Sequence, residues 1–394
     1  MSAEVFVVSA VRTAVARARR GALSQTLPHV FGAAAVTGAL ERVPELPVDQ
    51  IDDVILGCAM PEGEQGLNIG RQIALHAGLP QSVAGMTVNR FCASGLQAIA
   101  AAHATIAAGQ AQVMLAGGVE SMTLLPMEGL RFVPDGKLSA VEPNVYISMG
   151  LTAERVASEH KISREDQDAF ALQSHQRALA ALDAGSFADE LVPVSTQRQT
   201  QRDGQVSIED VTFETDEGPR RDCSAEGLER LRPAFVKGGT VTAGNSSQTS
   251  DGAAAALLLS GARCQDLGLE PLARLASFAV SGVAPEVMGI GPVHAIPKAL
   301  AQAGVTLGDI GVIELNEAFA SQSLACMRAL DLDPARTNVH GGAIALGHPL
   351  GCTGAKLTAT LLHELQRRKL RWGLVSMCVG GGMGAAAVFE NQRN

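Results

Sequence analysis

Four short segments of this 394-residue chain combine a reactive side chain with glycine-rich or helix-starting backbone. They are Asn89–Gly95 (NRFCASG), Asn316–Ala320 (NEAFA), Gly347–Gly351 (GHPLG) and Cys378–Gly384 (CVGGGMG). Together they supply two thiols, an imidazole and a carboxamide, and the glycines allow backbone N–H groups to approach a developing oxyanion. This combination predicts nucleophilic catalysis on a carbonyl group.

Cys92 stands on the first turn of an alanine-rich helical segment that directly follows a β-like stretch. A helix N-terminus carries partial positive charge and unpaired N–H groups, which favour a thiolate. We therefore expect a lowered pKa for Cys92 and interpret it as the nucleophile.

Each of these residues also has a purely structural interpretation. Cys92 and Cys378 could be buried and inert, and Asn316 could cap the helix that follows it. The triple glycine could serve tight sheet packing, and Ser247 could be a turn residue. The occurrence of all of them in one chain with an internal repeat favours the catalytic interpretation.

The segments that position these residues alternate between buried strands and helices. Apolar runs predict strands at 5–13, 51–60 and 111–122, and helices at 31–40, at 68–77 and from Cys92 onwards. Ser163 is predicted to cap a helix that ends at Asp183, with Gly185 just beyond it. The alternation predicts an α/β fold with a parallel sheet covered on both faces.

The last third of the chain repeats the plan of the first third. Cys92–Gly95 and Gly351–Gly354 each begin an alanine-rich helix, and each helix is followed by an apolar strand that ends in glycines. Duplication of one βαβ-type unit explains this pattern. It places the two helix starts near a pseudo-twofold axis, where both halves can contribute to one site.

The chain is long enough for two or three packed domains. We predict an N-terminal half formed by residues 1–122 and 240–270, and a C-terminal half formed by residues 271–394. Residues 123–239 are richer in charge, proline and glycine, and are predicted to form an inserted loop domain.

Composition narrows the class of protein. A net charge of −9 and a pI near 5.5 disfavour nucleic-acid and anionic-membrane partners, and no apolar run is long enough for a membrane span. Neither end carries a targeting signal, and the seven cysteines contain no C-x-x-C pair. We therefore expect a cytoplasmic protein with reduced thiols and without a metal site.

An NAD-dependent enzyme is disfavoured by the position of its only candidate motif. Gly382–Gly384 faintly matches a dinucleotide fingerprint, but only ten residues follow it, so no βαβ unit fits. Residues 347–354 lack the Lys-Ser/Thr of a P-loop, and no strand-to-helix turn carries the Gly-x-Ser-x-Gly of an α/β-hydrolase.

The blocks along the chain resemble, in order and over essentially its whole length, the thiolase family of coenzyme-A-dependent acyltransferases. They are Arg12-Thr13, the Cys92 helix, GGVESM (117–122), SMGLTAE (148–154), LRPAF (231–235), TVTAGNSS (240–247), NEAFA, GHPLGCTG and CVGGGMG. The resemblance implies a duplicated five-layer αβαβα architecture with an inserted loop domain that binds CoA.

The resemblance also implies catalytic roles. Cys92 takes the acyl group, His348 is the base that activates it, and Cys378 is the acid that protonates the departing acetyl-CoA enolate. Asn316, through a water and together with His348, is the oxyanion site for the CoA thioester. The N–H groups of Cys92 and Gly380 form the second oxyanion site.

For coenzyme A, the resemblance implies a substrate rather than a permanently bound cofactor. The matching positions are Ser247, Arg220, Phe235, Ala243, Met149, Met288, Ala318 and Phe319. Because CoA is rich in phosphate, it needs local cations on an acidic protein, and Arg220 and Arg221 are a plausible pair.

Ser148 stands where biosynthetic acetoacetyl-CoA thiolases typically have a histidine, and the stretch from Met122 to Met149 is short. Both features resemble degradative 3-ketoacyl-CoA thiolases of fatty-acid β-oxidation, and favour a homodimer over a tetramer. The alternatives are an acetoacetyl-CoA thiolase that acts in condensation and a non-catalytic CoA- or lipid-binding protein of the same fold.

Overall fold

The computed structural model of the chain describes residues 4–202 and 205–393. Its first part contains eight elements: β1 (Val5–Thr13), β2 (Ala16–Arg17), α1 (Pro28–Glu41), β3 (Asp53–Gly57), α2 (Ile69–His76), β4 (Met86–Val88), α3 (Ser94–Ala107) and β5 (Val113–Ser121). The strands and helices predicted for this part are confirmed, with bounds that shift by a few residues.

The middle of the chain combines helices with a separate two-stranded sheet. Its elements are α4 (Gly136–Val141), α5 (Met149–Glu159), α6 (Arg164–Asp183), β6 (Leu191–Val192), β7 (Val194–Arg202), β8 (Gln205–Phe213) and α7 (Ala225–Glu229). The predicted cap of α6 is confirmed, since the Ser163 hydroxyl accepts from the Asp166 N–H at 3.1 Å. Gly185 follows the helix with a left-handed φ of 66°.

The remainder of the chain returns to alternating strands and helices. Its elements are β9 (Ser250–Ser260), α8 (Gly261–Asp266), β10 (Ala273–Gly282), α9 (Gly291–Ala303), β11 (Ile310–Leu315), α10 (Ala320–Leu330), α11 (Ala343–Leu346), α12 (Leu350–Arg368), β12 (Trp372–Val379) and β13 (Met383–Asn391). No helix in the described ranges is long and apolar enough to cross a membrane.

The main sheet is mixed, so the expectation of a parallel sheet is wrong. Its order is β11-β12-β13-β10-β1-β9-β5-β3-β4, with β6 beside β1 and β2 beside β9. β3 is parallel to β4 and β5, and β11 is parallel to β12, whereas β9 and β13 are antiparallel to their neighbours. β13 must be antiparallel because a three-residue turn joins it to β12.

The sheet order confirms the predicted duplication. Strands β3-β5-β9-β1 in one half correspond to β11-β12-β13-β10 in the other, and β1 meets β10 at the centre. In each half, one helix of the central layer connects the first two of these strands: α3 precedes β5, and α12 precedes β12.

The helices and the two halves of the sheet form the five layers that the family resemblance implies. The outer helices α1 and α2 pack against the first half through buried residues such as Phe31 and Ile73. The central helices α3 and α12 pack against both halves, with Leu96 and Leu361 in one shared core. The outer helix α9 covers the second half through Ile296. The fold is therefore α/β with the predicted αβαβα layering.

The starts of α3 and α12 meet closely in the central layer. A Cβ atom on Gly95 would lie 2.8 Å from the backbone nitrogen of Ala355, and one on Gly354 would lie 2.4 Å from that of Leu96. Glycine is therefore required on both helices at this crossing. The two glycines occupy corresponding positions of the repeat, and they bring the Cys92 and His348 ends of the helices together.

Candidate active site

Cys92 lies in a short 3-10 turn, Phe91–Ala93, between β4 and α3. Asn89 holds this turn: its Oδ1 accepts from the Phe91 N–H at 2.8 Å, and its Nδ2 donates to the Ala59 carbonyl at 3.0 Å. Phe91 adopts a left-handed φ of 43°, which directs the chain sharply into the helix. The half-buried thiol is therefore held in place by the backbone on both sides.

The pKa of the Cys92 thiol is raised to about 12, mainly by burial and in smaller part by the nearby Glu120 carboxylate. Two backbone N–H groups face the sulfur, those of Gly380 and of Cys92 itself, and they act in the opposite direction. The expected lowering of this pKa is wrong, because the loss of water around the thiolate outweighs the helix start. The thiol needs a base to become a nucleophile.

The buried carboxylate of Glu120 ties together the loops around Cys92. It accepts from the N–H groups of Ala59 at 2.7 Å and Gly351 at 2.8 Å, and from the amide of Gln65 at 2.8 Å. Because Gly351 lies at the start of α12, this carboxylate joins the two halves of the molecule. Glu120 lies in the GGVESM block (117–122), so the family resemblance could have identified it as part of the site.

Gly380 begins the turn that joins β12 to β13. Gly381 and Gly382 have left-handed φ values of 80° and 84°, and a Cβ on Gly382 would lie 2.3 Å from the carbonyl oxygen of Val283. These glycines therefore make a tight turn possible, rather than serving sheet packing. The turn directs the Gly380 N–H toward the sulfur of Cys92.

His348 is buried immediately before α12 and is held from both sides of its ring. Nδ1 lies 2.6 Å from the hydroxyl oxygen of Thr353, and Nε2 lies 3.3 Å from Nδ2 of Asn316. The Thr353 hydroxyl uses its hydrogen to donate to the Pro349 carbonyl at 3.0 Å, so it accepts from Nδ1–H. Nε2 then carries the lone pair, to which the Asn316 amide donates.

Burial also keeps the His348 imidazole neutral. The pKa of His348 is lowered to about 3, mainly by burial and in part by the positive charge of the buried Lys356 on α12. A neutral imidazole whose lone pair is on Nε2 can accept a proton from a thiol there once that lone pair is released by the Asn316 amide.

Asn316 follows β11 directly and does not cap α10. The N-cap of that helix is Phe319, so the structural interpretation of Asn316 as a helix cap is wrong. The Asn316 backbone N–H donates to the Ser376 carbonyl at 2.9 Å, which ties this residue to β12. Its Oδ1 is buried and accepts no hydrogen bond from the described residues.

Cys378 is fully buried on β12 and shares a small apolar cluster with predicted CoA-binding residues. Those residues are Met288, Ala318 and Phe319, with Met149 packed against the same cluster. Phe235 adds an edge-to-face contact to Phe319, with ring centroids 6.1 Å apart. Burial raises the pKa of Cys378 well above its ordinary value, and the charge of Cys92 raises it further. The two sulfurs therefore belong to one site.

A cavity of about 790 Å³ is lined by two other predicted CoA residues, Arg220 and Ala243. Arg17, Arg20 and His175 also line it, and none of these three was identified from the sequence. The available signal was the basic run 17–20 (RARR). Two carboxylates, those of Glu217 and Asp222, also line the cavity, so it combines three arginines with two acids.

The segment from Ala243 to Ser250 connects the cavity with the thiols and the imidazole. Gln248 lines the cavity, and its carbonyl accepts from the His348 N–H at 3.1 Å. Between these points, the Ser247 N–H donates to the Ala318 carbonyl at 3.0 Å. One stretch of backbone thus contacts both the polar cavity and the apolar cluster around Cys378.

Arg221 is the one residue suggested for CoA that the structure directs elsewhere. Its guanidinium forms an exposed ion pair with Asp183, at 2.5 Å, and it does not line the cavity. The expectation of an Arg220–Arg221 pair is therefore wrong. Arg220 lines the cavity with Arg17 and Arg20, and its guanidinium lies 3.7 Å from the Asp222 carboxylate.

Comparison with known proteins gives a consistent picture. Residues 5–262 match the thiolase N-terminal domain, and residues 269–391 match the thiolase C-terminal domain. The chain is 53% identical over 388 residues to the 3-ketoacyl-CoA thiolase of Bacillus subtilis (strain 168), covering 98% of this chain and 99% of that one.

Two solved structures are similar over 99% of both chains. One is the acetyl-CoA acetyltransferase of Bacillus anthracis, with a TM-score of 0.89 and 40% sequence identity. The other is human mitochondrial 3-ketoacyl-CoA thiolase, with a TM-score of 0.88 and 40% sequence identity.

Proposed function

This chain belongs to the thiolase family and is an acyltransferase, and we propose that it cleaves 3-ketoacyl-CoA with coenzyme A. The products are acetyl-CoA and an acyl-CoA shortened by two carbons, as in fatty-acid β-oxidation. The observation that carries the proposal is the arrangement around Cys92. Its sulfur faces two backbone N–H groups, and a second buried thiol lies in the same site.

The first step is attack by Cys92 on the ketone carbon of the substrate. The neutral imidazole of His348 takes the thiol proton on Nε2 as the attack proceeds, which avoids a free buried thiolate. The ketone oxygen becomes an oxyanion, and the N–H groups of Cys92 and Gly380 stabilise it. These two groups already face the sulfur, so they are preorganised for a carbonyl bound next to it.

The second step breaks the bond between C2 and C3 and releases acetyl-CoA as an enolate. Asn316, together with His348, stabilises the enolate oxygen through a water that donates to it. The free acceptor Oδ1 of Asn316 supports this role, since it can hold such a water in a buried site. Cys378 then gives its proton to C2.

Coenzyme A binds with its phosphates in the cavity that the arginines line, and its pantetheine arm is directed along Ala243–Ser250. Arg17, Arg20 and Arg220 supply the cations there. The arm then reaches the apolar cluster of Met149, Met288, Ala318 and Phe319, where thioester and thiols meet. Phe235 covers this end through its contact with Phe319.

Condensation of two acetyl-CoA molecules is the second candidate function. It uses the same groups in the reverse order, and the similarity to the Bacillus anthracis acetyl-CoA acetyltransferase supports it. The sequence identity of 53% to a 3-ketoacyl-CoA thiolase favours cleavage of longer substrates.

We propose that the enzyme is a cytoplasmic homodimer. The seven cysteines are all free thiols, which suits a reducing compartment. β4 lies at the end of the sheet and carries the exposed Met86, so a second copy has a free strand edge to pair with. Sedimentation or light scattering distinguishes a dimer from a tetramer.

The experiment that tests the function follows loss of the 3-keto thioester with CoA present. Acetoacetyl-CoA and a 3-ketoacyl-CoA of about 8 to 16 carbons are compared, with wild type and Cys92→Ala in parallel. Cleavage of the longer substrate, lost in Cys92→Ala, supports the proposal. Turnover of acetoacetyl-CoA alone supports the second candidate. Binding of CoA without turnover of either substrate identifies a binding protein.

A further inference from the structure

Gln322 is a buried amide that contacts Cys378 from the first turn of α10. The outer end of its side chain lies 3.1 Å from Sγ of Cys378. Gln322 is 1% exposed and Cys378 is 0% exposed, so no bulk water takes part in this contact. The roles proposed above leave this residue without a function.

The neighbours of Gln322 decide which end of its amide faces the sulfur. With Oε1 next to Ser323, that oxygen accepts from the Ser323 N–H at 2.7 Å and from its hydroxyl at 3.0 Å. Nε2 then donates to the Asn316 carbonyl at 3.2 Å. The opposite orientation would place Oε1 of Gln322 against the Asn316 carbonyl oxygen, and its amide NH₂ against the Ser323 N–H. The atom that faces Cys378 is therefore the amide nitrogen.

We propose that Gln322 is a positioning residue for proton transfer by Cys378, since it donates an N–H to the thiolate that remains after the proton has left. The Gln322 amide has two hydrogens, one for the Asn316 carbonyl and one for the sulfur. This inference rests on the proposed function, and it names the group that allows a fully buried thiol to act as an acid.

The proton balance shows when this hydrogen bond is needed. When the C2–C3 bond breaks, its electron pair stays with C2 as the enolate, and the Cys378 proton moves to C2 to complete acetyl-CoA. Cys378 is then a thiolate until the thiol of the incoming CoA returns a proton to it. His348 in turn returns its proton to the sulfur of Cys92 when the acyl group leaves for CoA.

The surroundings of Cys378 make such a thiolate costly. Burial is the main cause, and it raises the pKa of Cys378 well above its ordinary value. The backbone N–H of Cys378 itself acts in the opposite direction. A second N–H donor within reach therefore has a large effect on the stability of the thiolate.

Gln322 also connects the two catalytic segments. Through its contact with the Asn316 carbonyl it holds the backbone of the residue whose side chain faces His348. A single amide thus links the acid to the segment that carries the enolate site. The relative position of Cys378 and the enolate oxygen depends on this link.

The test compares two reactions of the Gln322→Met variant, which keeps the side-chain length but has no N–H. One reaction is cleavage of 3-ketoacyl-CoA, which requires a proton on carbon. The other is exchange of labelled CoA into acetyl-CoA, in which Cys378 keeps its proton, because CoA leaves and enters as a thiolate that is far more stable than a carbanion. We expect cleavage to fall about 100-fold and exchange to change less than about threefold.

The matched control is Gln167→Met on α6. Gln167 is equally buried and donates to Thr240, with no contact to Cys378. We expect this variant to change both rates by the same factor. If Gln322→Met lowers cleavage and exchange by the same factor, its role is structural and the inference is overturned. Unchanged cleavage in Gln322→Met also overturns the inference.

A double-mutant cycle with Cys378→Ser provides a second test. Because Gln322 acts through the sulfur, Gln322→Met should lower cleavage no further when the sulfur is absent. The inference is overturned if Gln322→Met lowers cleavage by the same factor in the Cys378→Ser protein as in the wild type. If Gln322→Met does not fold, Gln322→Asn is used, because it withdraws the N–H from the sulfur. We again expect a large loss of cleavage and a small loss of exchange. Absence of cleavage in wild type would instead contradict the proposed function itself.

Discussion

Nδ2 of Asn316 lies 3.3 Å from Nε2 of His348, and this contact leaves the lone pair of the imidazole on Nε2. On the other side of the ring, the Thr353 hydroxyl accepts from Nδ1–H at 2.6 Å. The ring is therefore held in one tautomer by a donor on one nitrogen and an acceptor on the other. Only this tautomer can take the Cys92 proton on Nε2.

Thr353→Val should lower the rate of acyl-enzyme formation without preventing folding. Valine has nearly the same shape but no acceptor, so Nδ1–H is left buried without a partner and the ring can shift to the unproductive tautomer. We expect the rate of acylation of Cys92 to fall about 10- to 100-fold, measured by rapid quench and mass spectrometry of the protein.

Thr358→Val is the matched control for this prediction. Thr358 is also buried on α12, and its hydroxyl donates to the Gly354 carbonyl at 2.8 Å, as that of Thr353 donates to the Pro349 carbonyl. It has no contact with the imidazole ring. Equal rates of acylation in the two variants would show that the Thr353 hydroxyl does not orient His348.

The high pKa of Cys92 predicts how its alkylation depends on pH. Burial raises the pKa of this thiol to about 12, so the thiolate fraction grows steadily across the physiological range. The rate of labelling by iodoacetamide should rise about tenfold per pH unit from about pH 6 to pH 9, without a plateau. Mass spectrometry of the Cys92 peptide gives this rate, with Cys92→Ala to assign the peptide.

A plateau below pH 8 would contradict this prediction. It would show that the two N–H groups facing the sulfur outweigh burial, as the position at a helix start suggests. The half-buried Cys223 in the same protein serves as an internal reference, since its pKa is also raised by burial.

The features of the fold that could be predicted from the sequence are the internal duplication and the alternation of strands and helices. The duplicated helix starts predicted that α3 and α12 meet, because each half carries a glycine where the other half approaches. The mixed direction of the sheet was not predictable in this way. β9 returns to the sheet after a long excursion, and its direction depends on where that excursion ends rather than on its own apolar pattern.

For the site, residue types were predictable and their environments were not. Cys92 was identified from its position at a helix start, but burial reverses the expected direction of its pKa. Arg220 matches a CoA-binding position of the family and lines the cavity, whereas Arg221, which was suggested only as its neighbour, does not. Burial and side-chain direction depend on tertiary packing, which a local pattern does not contain.

Arg20→Ala and Arg220→Ala should weaken binding of CoA with little effect on the chemical step. Both side chains line the cavity proposed for the phosphates and are largely exposed, so their loss removes charge without disturbing a core. We expect KM for CoA to rise about 3- to 10-fold in each variant, with kcat nearly unchanged. Steady-state kinetics with varied CoA measures both constants.

Two controls separate phosphate binding from other effects of these arginines. With pantetheine in place of CoA, neither variant should differ from wild type, because pantetheine has no phosphate. Arg221→Ala should leave KM for CoA unchanged, since Arg221 pairs with Asp183 outside the cavity. An equal rise of KM for CoA in all three variants would point to a general effect of net charge.

Gly354→Ala should destabilise the central layer. The added Cβ would lie 2.4 Å from the Leu96 backbone nitrogen, so α12 must move away from α3, which costs about 1–3 kcal/mol in the free energy of unfolding. Urea unfolding measures this cost. Gly136→Ala is the control, because its Cβ meets nothing within 4 Å at the start of α4. A Gly354→Ala protein as stable as Gly136→Ala would show that the two helices tolerate a wider crossing, and that the glycine pair does not set the distance between the starts of the two halves.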